Sequence, residues 1–359
     1  MTLHIFNPEH DIALASNLSN FTAPHAGRQL RADLGFLPAL WAAEGDAVLV
    51  EDIDNAARAF RIASRGRACQ VEWVTKALLA TLPIEVIKPW GWDAALRYQL
   101  LKAGVDETLL PMDTAIAEIR QLSHRQTSAV LLRQLQGEGL IGESVLCDSE
   151  EAVLQQLAVH PRLVLKAPWS SSGRGIRFIE GELNDYHRGW LRNLLKSQGS
   201  VMAEPYYQKV KDFGMEFEAT DKGIRYLGLS LFHTANGAYT GNILATEHTK
   251  REMMSRYVSL DLLDAVQQQI CNTLSLGNYR GPFGIDMMVV RCEECGVRSE
   301  ECGVRSVERL LHPCVEINLR RTMGHVALAL TPTDDDIRKV MRIEYSDHYK
   351  LRIRKLYLK

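Results

Sequence analysis

Residues 163–175 restrict the fold more than any other segment of this sequence. The segment begins with an apolar run that ends in Lys166, and Pro168 follows shortly after the lysine. The apolar residues predict a buried strand, and Pro168 prevents that strand from continuing regularly. A loop of serines and glycines follows. Such a loop offers backbone N–H groups to phosphate oxygens, and Lys166 would add one fixed cation beside it. The segment therefore indicates a nucleoside triphosphate site, although a lysine at a strand end is also common on protein surfaces.

The loop after Pro168 does not follow the Walker spacing, because no lysine comes after its second glycine. It can still close over phosphates with serine hydroxyls, backbone N–H groups and one arginine. The loop residues predicted to do so are Ser171, Ser172, Gly173, Arg174 and Gly175.

Two later segments carry the residues that would hold a metal ion. Asp286 is the one acid in an apolar stretch, and a buried carboxylate is costly unless it is paired or bound to a metal. Glu316 and Asn318 are spaced i, i+2 on a predicted strand, so both side chains leave the same face. If the two strands pair, Asp286 faces them, and these oxygen ligands suit Mg²⁺. An edge strand with polar residues on its solvent face is the alternative.

A further segment, residues 203–207, ends a strand and changes the direction of the chain. Its backbone and Glu204 could bind adenine, and Asp212 could hold the ribose hydroxyls, although an ordinary strand and loop would have the same composition. Arg320 and Arg321 follow the predicted metal strand and could stabilise a transferring phosphoryl group. Arginines without such a context are mostly surface residues.

The composition excludes several classes of function. The chain has 359 residues with 42 basic and 44 acidic side chains, so no charge excess favours a nucleic-acid or membrane-surface partner. No apolar run approaches the ~18 residues of a membrane helix, and acids follow the first strand too early for a signal peptide. Seven cysteines, an odd number in a long chain, predict reduced thiols and a cytoplasmic protein.

The length predicts two or three domains. Strands alternate with helices over the first ~110 residues, which predicts a small α/β layer domain. Within it, Asn7 and Pro8 look like a helix start, with Asn7 as the N-cap. We place the domain boundaries near residues 120 and 197.

Residues 293–299 recur as residues 300–306, a tandem repeat between two predicted strands. The repeat is best explained as an extension of a solvated hairpin tip. Nearby cysteines raise the alternative of a structural zinc site. These are Cys292, Cys295, Cys302 and Cys314.

Taken in order, these segments resemble the ATP-grasp superfamily of ATP-dependent ligases. The matching segments are residues 165–168 with the loop 170–175, residues 204–206, residues 284–286 and residues 316–320. The resemblance implies an α/β and α+β fold with a Rossmann-like pre-ATP-grasp domain followed by two ATP-grasp α+β subdomains. The predicted domains are residues 1–120, 121–196 and 197–359. ATP and Mg²⁺ are the implied cofactors.

The resemblance also implies a role for each matching residue. Lys166 would bind the α- and β-phosphates, and Arg125 stands where the family usually has a lysine. Lys166 and Arg320 would be the catalytic residues, with Arg320 stabilising the acyl phosphate or the tetrahedral intermediate. Besides the loop, the nucleotide ligands would be Arg125, Lys166, Glu204, Tyr206, Tyr207 and Asp212, and the Mg²⁺ ligands would be Asp286, Glu316 and Asn318.

The sequence defines substrate contacts less sharply. Residues 232–242 form a polar, aromatic segment that could line an acceptor pocket or could form a hairpin turn at Asn236 and Gly237. His10 follows the first strand, where open α/β sheets bind ligands, although helix-start chemistry explains it nearly as well. The candidate substrate residues are His10, Arg174, His233, Asn242 and Arg321.

The predicted function is that of an ATP- and Mg²⁺-dependent ligase. Such an enzyme activates a carboxylate as an acyl phosphate and joins it to an amine, here an amino acid or a peptide-like molecule. A small-molecule kinase of the same superfamily and a nucleotide-binding regulatory protein with little turnover are the alternatives. The expected partners are the carboxylate and amine substrates, with no nucleic acid and no membrane, and a homodimer stays open.

Overall fold

The computed structural model describes residues 1–64, 68–170, 175–235, 238–292 and 308–356. The chain divides into two compact units. Unit 1 consists of Met1–Leu122, Thr240–Thr246 and Leu319–Lys359, and unit 2 consists of Ser123–Tyr239 and Glu247–Asn318. Along the sequence, unit 2 therefore interrupts unit 1 twice. The domain boundaries near residues 120 and 197 stay predictions.

The described residues form both helices and strands. The helices are α1 (His10–Ser16), α2 (His25–Leu34), α3 (Ile53–Ala63), α4 (Ala94–Lys102), α5 (Asp113–Leu122), α6 (Arg125–Gln134), α7 (Glu150–Val159), α8 (Asp185–Gln198), α9 (Glu247–Ser255), α10 (Leu260–Thr273) and α11 (Met323–Ala329). Short 3₁₀ helices are found at Leu37–Leu40, Lys76–Thr81 and Glu107–Leu109. The strands are β1 (Thr2–Ile5), β2 (Ala47–Leu49), β3 (Glu72–Val74), β4 (Val86–Pro89), β5 (Val145–Cys147), β6 (Arg162–Lys166), β7 (Ile176–Glu180), β8 (Val201–Pro205), β9 (Gln208–Thr220), β10 (Gly223–Ser230), β11 (Phe232–Ala235), β12 (Ala238–Leu244), β13 (Gly281–Cys292), β14 (Glu308–Asn318), β15 (Lys339–Tyr345) and β16 (Tyr349–Lys355).

A parallel sheet of four strands, in the order β3-β2-β1-β4, begins unit 1. Leu3 pairs with Ala47 on one side and with Ile87 on the other, so β1 is an inner strand. Leu3 and Ala47 are fully buried, as expected for a parallel sheet covered on both faces. The sheet confirms the predicted α/β layer. It also brings the carboxyl ends of β1 and β4 to the same edge.

The start of helix α1 differs from the prediction, because the N-cap is Glu9 and not Asn7. The side-chain amide of Asn7 donates hydrogen bonds to the Gly91 carbonyl at 2.8 Å and to Asp93 Oδ2 at 3.2 Å. Asn7 therefore connects the segments that follow β1 and β4. Since its side chain is used in this way, the helix begins later, at His10.

The C-terminal strands complete the core of unit 1. Strand β12 pairs with β15, and β15 pairs with β16, both antiparallel. Leu244, Met341 and Leu351 from these strands join a hydrophobic cluster with Phe36 and Trp90. Full burial of one such side chain is worth roughly 1.5–3 kcal/mol. This packing explains why segments distant in sequence belong to one unit.

In unit 2, strands β5, β8, β6 and β7 form a sheet in that order. Leu163 and Leu165 of β6 are buried in a cluster that includes Val153 of α7 and Leu191 of α8. The predicted strand that leads to Lys166 is therefore present. Gly199 follows the last residue of α8 and caps it, with a φ of 80°, the left-handed conformation that glycine adopts most easily.

A second sheet of unit 2 has the strand order β10-β9-β13-β14. The aromatic rings of Phe217 and Phe283 stack in its core with centroids 5.3 Å apart. In the antiparallel ladder of β13 and β14, Asp286 lies opposite Glu316. The strand pairing on which the predicted metal site depends is thus observed.

The cysteines and the membrane prediction can be compared with the described residues. The tandem repeat, with Cys295 and Cys302, lies outside them. Cys314 is a buried free thiol, whereas Cys292 is disulfide-bonded. The expectation of reduced thiols is therefore wrong for Cys292, because its sulfur is oxidised. Among the described helices, none is both long enough and apolar enough to cross a membrane.

Candidate active site

Lys166 and Glu204 form a buried ion pair in unit 2. Lys166 ends β6, and the antiparallel register places Val164 opposite Glu204 of β8, so the two charged side chains meet diagonally across the sheet. Lys166 is 7% exposed and Glu204 is 5% exposed. Ser144 Oγ donates a hydrogen bond of 3.2 Å to Glu204 Oε1. Because water is largely excluded, removal of either partner leaves the other as an uncompensated charge.

Arg125 connects the end of β6 to strand β14. It is the first residue of α6 and is buried. Its guanidinium donates to the Ala167 carbonyl, to Ser170 Oγ at 2.8 Å and to Glu316 Oε1 at 2.7 Å. Its backbone N–H donates to the Pro168 carbonyl at 3.2 Å. One buried cation therefore fixes the beginning of the loop relative to Glu316, a link that the sequence did not indicate.

The three residues predicted to bind a metal lie on neighbouring strands of unit 2. Asp286 is opposite Glu316, and Asn318 Nδ2 donates to Asp286 Oδ2 at 3.1 Å. The Ile317 N–H donates to Ser128 Oγ at 2.9 Å, which holds β14 against α6. The structure thus brings the three side chains together on one face of the sheet.

This donor set fits Mg²⁺ when nucleotide phosphates complete it. Two carboxylates and one amide supply hard oxygen ligands, and Mg²⁺ usually keeps further positions for water and phosphate. This set contains only two acidic residues beside the asparagine. Within the described ranges, no three His, Cys, Asp or Glu side chains are grouped so that they could hold a metal ion by themselves. A closed protein cage of the structural-zinc type is therefore not found there.

His312 is a buried polar residue that the sequence analysis missed. It lies in β14, is 1% exposed, and neither ring nitrogen has a hydrogen-bond partner among the described residues. Burial, followed by the charge of Lys166, lowers the pKa of His312 from 6.5 to about 3. The ring centroid of Tyr207 is 5.6 Å from that of His312. The imidazole is therefore neutral at physiological pH, and its only sequence signal is a histidine within an apolar strand.

Tyr206 and Tyr207, the predicted adenine-binding residues after β8, have different surroundings. Tyr206 is 39% exposed, and the Arg162 guanidinium lies 4.2 Å from its ring centroid. Burial raises the pKa of Tyr207, and the charges of Glu143 and Glu204 raise it further. Tyr207 is therefore the better placed of the two to face the buried Lys166–Glu204 pair.

Asp212, the predicted ribose ligand, lies in β9 and is tied to polar neighbours. Its Oδ2 atom accepts hydrogen bonds from Lys209 Nζ at 2.5 Å and from Thr234 Oγ1 at 2.9 Å. These contacts fix the carboxylate in one orientation. Its binding to a ribose stays a prediction.

The loop at residues 170–175 is predicted to cover the phosphates, and the structure describes only its two ends, Ser170 and Gly175. The Ala167 N–H donates to the Gly175 carbonyl at 2.7 Å. A Cβ atom added at Gly175 would lie 2.5 Å from Ser170 Cβ and 2.8 Å from Ala167 Cβ, so only glycine fits there. The loop is thus closed tightly at its base. Ser171, Ser172, Gly173 and Arg174 lie outside the described residues.

Arg320 and Arg321 belong to unit 1, and each is held by specific contacts. Arg320 forms a two-point ion pair with Asp11, with Nε–Oδ1 and Nη2–Oδ2 distances of 2.7 Å. The guanidinium of Arg321 lies 4.7 Å from the ring centroid of Trp41, and its backbone N–H donates to the Trp90 carbonyl at 2.8 Å. The bidentate geometry fixes the plane of the Arg320 guanidinium.

His10 lies in a buried polar cluster after β1 and β4. It is 1% exposed, and its Nδ1 atom is 3.4 Å from Asp93 Oδ2 without forming a hydrogen bond to it. A Cβ atom added at Gly91 would lie 2.7 Å from the imidazole ring. Asp93 also accepts a hydrogen bond of 2.8 Å from the Leu96 N–H and caps α4. His10 is thus packed closely against Gly91 and Asp93. Its contact with a substrate stays a prediction.

His233 and Asn242, the remaining substrate candidates, belong to different units. His233 is exposed in β11 of unit 2. Asn242 is 0% exposed in β12 of unit 1, where it pairs with Met341. The polar segment that contains both residues is therefore divided between the units, and its predicted turn at residues 236–237 lies outside the described ranges.

Comparisons with known proteins reach the level of fold. No family model and no curated protein sequence matches the chain. A solved structure of N5-carboxyaminoimidazole synthetase from Staphylococcus aureus, complexed with ADP, is similar at 12% identity over 96% of this chain and 82% of that chain, with a TM-score of 0.50. A putative ATP-grasp superfamily protein from Archaeoglobus fulgidus is 13% identical over 99% of this chain and 100% of that chain, with a TM-score of 0.48. An L-amino acid ligase from Bacillus licheniformis is 12% identical over 96% of this chain and 81% of that chain, with a TM-score of 0.46.

At such low identity, the similarity to the Staphylococcus aureus synthetase concerns the fold alone. In this chain the parallel sheet of unit 1 and the two antiparallel sheets of unit 2 give a mixed architecture. The predicted mixture of an α/β layer with α+β parts is confirmed. The chain therefore shares the fold of that synthetase.

Proposed function

We propose that this chain is an ATP- and Mg²⁺-dependent ligase that joins a carboxylate to an amine. The observation that supports the proposal best is the position of Arg125, whose guanidinium bonds both Ser170 and Glu316. One buried cation thus links the segment proposed for the triphosphate with the segment proposed for the metal. The fold shared with a synthetase that was crystallised with ADP supports nucleotide binding.

In this proposal Lys166 donates to the α- and β-phosphates of ATP. Its ion pair with Glu204 holds the ammonium group at the end of β6, so the cation is in position before the nucleotide binds. The backbone of residues 204–207 would bind the adenine, with Tyr207 on its buried side. The loop whose base is closed at Gly175 would cover the phosphates.

Asp286, Glu316 and Asn318 would hold Mg²⁺ together with phosphate oxygens. When bound, the ion supplies positive charge that neutralises the phosphates and orients the γ-phosphoryl group. Arg125 contacts Oε1 of Glu316, and a carboxylate has a second oxygen that can serve as a ligand. Arg125 would thus orient Glu316 for this task.

The chemistry of the proposed reaction has two steps. A carboxylate oxygen attacks the γ-phosphorus, the bond to the β–γ bridging oxygen breaks, and ADP leaves with the electron pair. The amine then attacks the carbonyl carbon of the acyl phosphate, a C–N bond forms, and phosphate leaves as the nitrogen loses a proton. Lys166 would supply charge stabilisation. Asp11 holds Arg320 in one orientation, and the catalytic role of Arg320 stays a prediction. Because the reaction consumes ATP, we propose that it takes place in the cytoplasm.

The test is ATP consumption by the purified protein with Mg²⁺ and pooled carboxylates and amines, with mass spectrometry of the products. The ligase predicts ADP, phosphate and a new mass equal to the two substrates minus water. A stable phosphorylated substrate would identify a kinase instead. ATP binding without turnover in any pool would favour a regulatory protein, and absence of ATP binding would refute all three functions.

A further inference from the structure

The hairpin of β15 and β16 in unit 1 concentrates positive charge that the chain as a whole does not show. Residues 338–355 carry seven basic and two acidic side chains, whereas the rest of the chain carries 35 basic and 42 acidic ones. The nearly balanced total, which by itself favours no nucleic-acid partner, therefore conceals a local excess of five positive charges. A charge asymmetry of this kind is typical of a segment that contacts a polyanion.

The antiparallel register of this hairpin gathers most of the charge on one face. Arg342 of β15 lies directly opposite Arg352 of β16. Strand residues two apart leave on the same side, and directly opposite residues share that side. We call this side of the hairpin the arginine face, and its members are Val340, Arg342, Glu344, Lys350, Arg352 and Arg354.

Arg342 and Arg352 repel each other across the hairpin. Directly opposite residues have Cβ atoms about 4.5–5.5 Å apart, and like charges at that distance are destabilising. On the arginine face, Arg354 pairs with Glu344 at 2.6 Å, whereas neither Arg342 nor Arg352 forms an ion pair with an acid of the described ranges. Folding alone gains nothing from this pair of guanidinium groups. An anion bound to both would remove the repulsion.

Protection of a sheet edge does not explain the arginine pair. Charged side chains are common on edge strands because they prevent edge-to-edge pairing. β16 is such an edge strand, but β15 lies between β12 and β16. Arg342 is therefore exposed on an inner strand. A Cβ atom added at Gly241 of β12 would lie 2.9 Å from Arg342 Cγ, so the stem of the arginine packs on a residue that has no side chain to cover it.

The chemistry of the arginine face favours a nucleic acid over a protein partner. The centre of a protein–protein interface is apolar and usually contains aromatic anchors. Val340, the apolar member of the arginine face, is buried, whereas its exposed members include Arg342, Lys350 and Arg354. Interfaces with nucleic acids are polar and strongly positive, and guanidinium groups bind phosphates through two parallel N–H groups.

We propose that the arginine face binds the phosphate backbone of a nucleic-acid strand. Arg342, Arg352 and Lys350 donate to the phosphate oxygens. Arg352 and Lys350 are two residues apart on β16, about 6.6 Å along the strand, which is close to the separation of successive phosphates in a nucleic acid. Contacts to phosphates carry no base information, so the binding does not depend on base sequence. All three residues belong to unit 1, and the proposal does not rest on the ligase activity.

The test is fluorescence anisotropy of a labelled single-stranded oligonucleotide, titrated with the full chain at about 0.1 M salt. The double variant Arg342→Gln with Arg352→Gln should bind about tenfold more weakly than the wild type. Each lost phosphate contact should also make the slope of log affinity against log salt shallower by about 0.7. A double variant that binds as tightly as the wild type would overturn the proposal, as would a wild-type Kd weaker than about 10⁻⁴ M.

The opposite face of the same hairpin provides the matched control. Lys339 lies opposite Lys355 in the same ladder. Lys339→Gln with Lys355→Gln therefore removes the same charge from the side away from the arginine face. At about 0.1 M salt the Debye length is about 10 Å, so charges that do not contact the oligonucleotide contribute little. The control should keep the wild-type affinity within about twofold. Equal losses in the two double variants would contradict the assignment to the arginine face.

Two competitors identify the kind of anion that the arginine face binds. Poly-L-glutamate of matched length should displace the oligonucleotide only at about tenfold higher concentration, because carboxylates lack the phosphate geometry. Equal competition would show a site for acidic protein segments and would refute the nucleic-acid proposal. MgATP should leave the affinity unchanged, since its proposed ligands lie in unit 2. Displacement by MgATP would mean that the oligonucleotide occupies the nucleotide site, which would also refute the proposal.

Discussion

Acid should destabilise unit 2 through the buried side chain of His312. Burial lowers its pKa from 6.5 to about 3 in the folded protein, whereas in the unfolded chain the imidazole has its ordinary pKa. Between these two values the unfolded state binds one more proton than the folded state. The free energy of unfolding therefore falls as the pH falls through this window, by about 1.4 kcal/mol per pH unit.

Between about pH 7.5 and 4.5 this single group removes about 3 kcal/mol, a large part of the 5–15 kcal/mol that typically stabilises a protein. The measurement is urea unfolding followed by circular dichroism across this range, for the wild type and for His312→Leu. Leucine has a similar volume and no charge to lose. Other titrating groups are common to both proteins, so the wild type should lose about 3 kcal/mol more than the variant.

An exposed histidine provides the control for the His312 measurement. The side chain of His248 is 68% exposed, so His248→Gln should keep the pH dependence of the wild type. Equal pH dependence in the wild type and His312→Leu would refute the reasoning. So would an NMR titration in which the His312 imidazole becomes protonated with a pKa near its ordinary value of 6.5.

Three further predictions concern unit 2. Glu316→Gln should keep the fold and lose Mg²⁺-dependent ADP release by orders of magnitude, since a metal ligand is neutralised; wild-type turnover would remove the metal assignment. Lys166→Met should lower the free energy of unfolding by about 3–5 kcal/mol, because Glu204 is left unpaired. The double variant Lys166→Met with Glu204→Gln should recover much of that loss. If urea unfolding shows that the losses of the two single variants add up in the double variant, the pairing is contradicted. Gly175→Ala should destabilise by about 1–3 kcal/mol through overpacking, whereas Gly189→Ala, with open space around it in helix α8, should stabilise by about 0.5–1 kcal/mol; similar thermal shifts would refute the difference.

The arrangement of Asp286, Glu316 and Asn318 was largely predictable from the sequence, because it depends on strand geometry and on the pairing of neighbouring strands. Glu316 and Asn318 share a face because strand residues two apart leave on the same side. Their approach to Asp286 needed only that two consecutive strands form a hairpin, and the observed register meets that condition. Periodicity and sequence neighbourhood carry this kind of information.

The partners of the charged residues could not be predicted in the same way. Arg125 and Glu316 are 191 residues apart, and no local pattern specifies that their side chains meet. Asn7 has the composition of an N-cap, but a tertiary contact with the Gly91 carbonyl takes its side chain instead. In both cases a hydrogen bond between residues distant in sequence determines the role of the side chain. Only folding brings the donor and the acceptor of such a bond together.

Burial is the property of these polar residues that the sequence does not reveal. A sequence in which His312 or Glu9 is solvated would look the same, yet the folded chain encloses both and leaves ring nitrogens or a carboxylate oxygen without described partners. Such groups lower stability unless a water molecule or a ligand completes their hydrogen bonds. Lys166 and Glu204 satisfy each other and stay in position without a ligand. Glu9 Oε2 and the ring nitrogens of His312 have no such partner among the described residues, and this difference arises from tertiary packing that no local pattern in the sequence specifies.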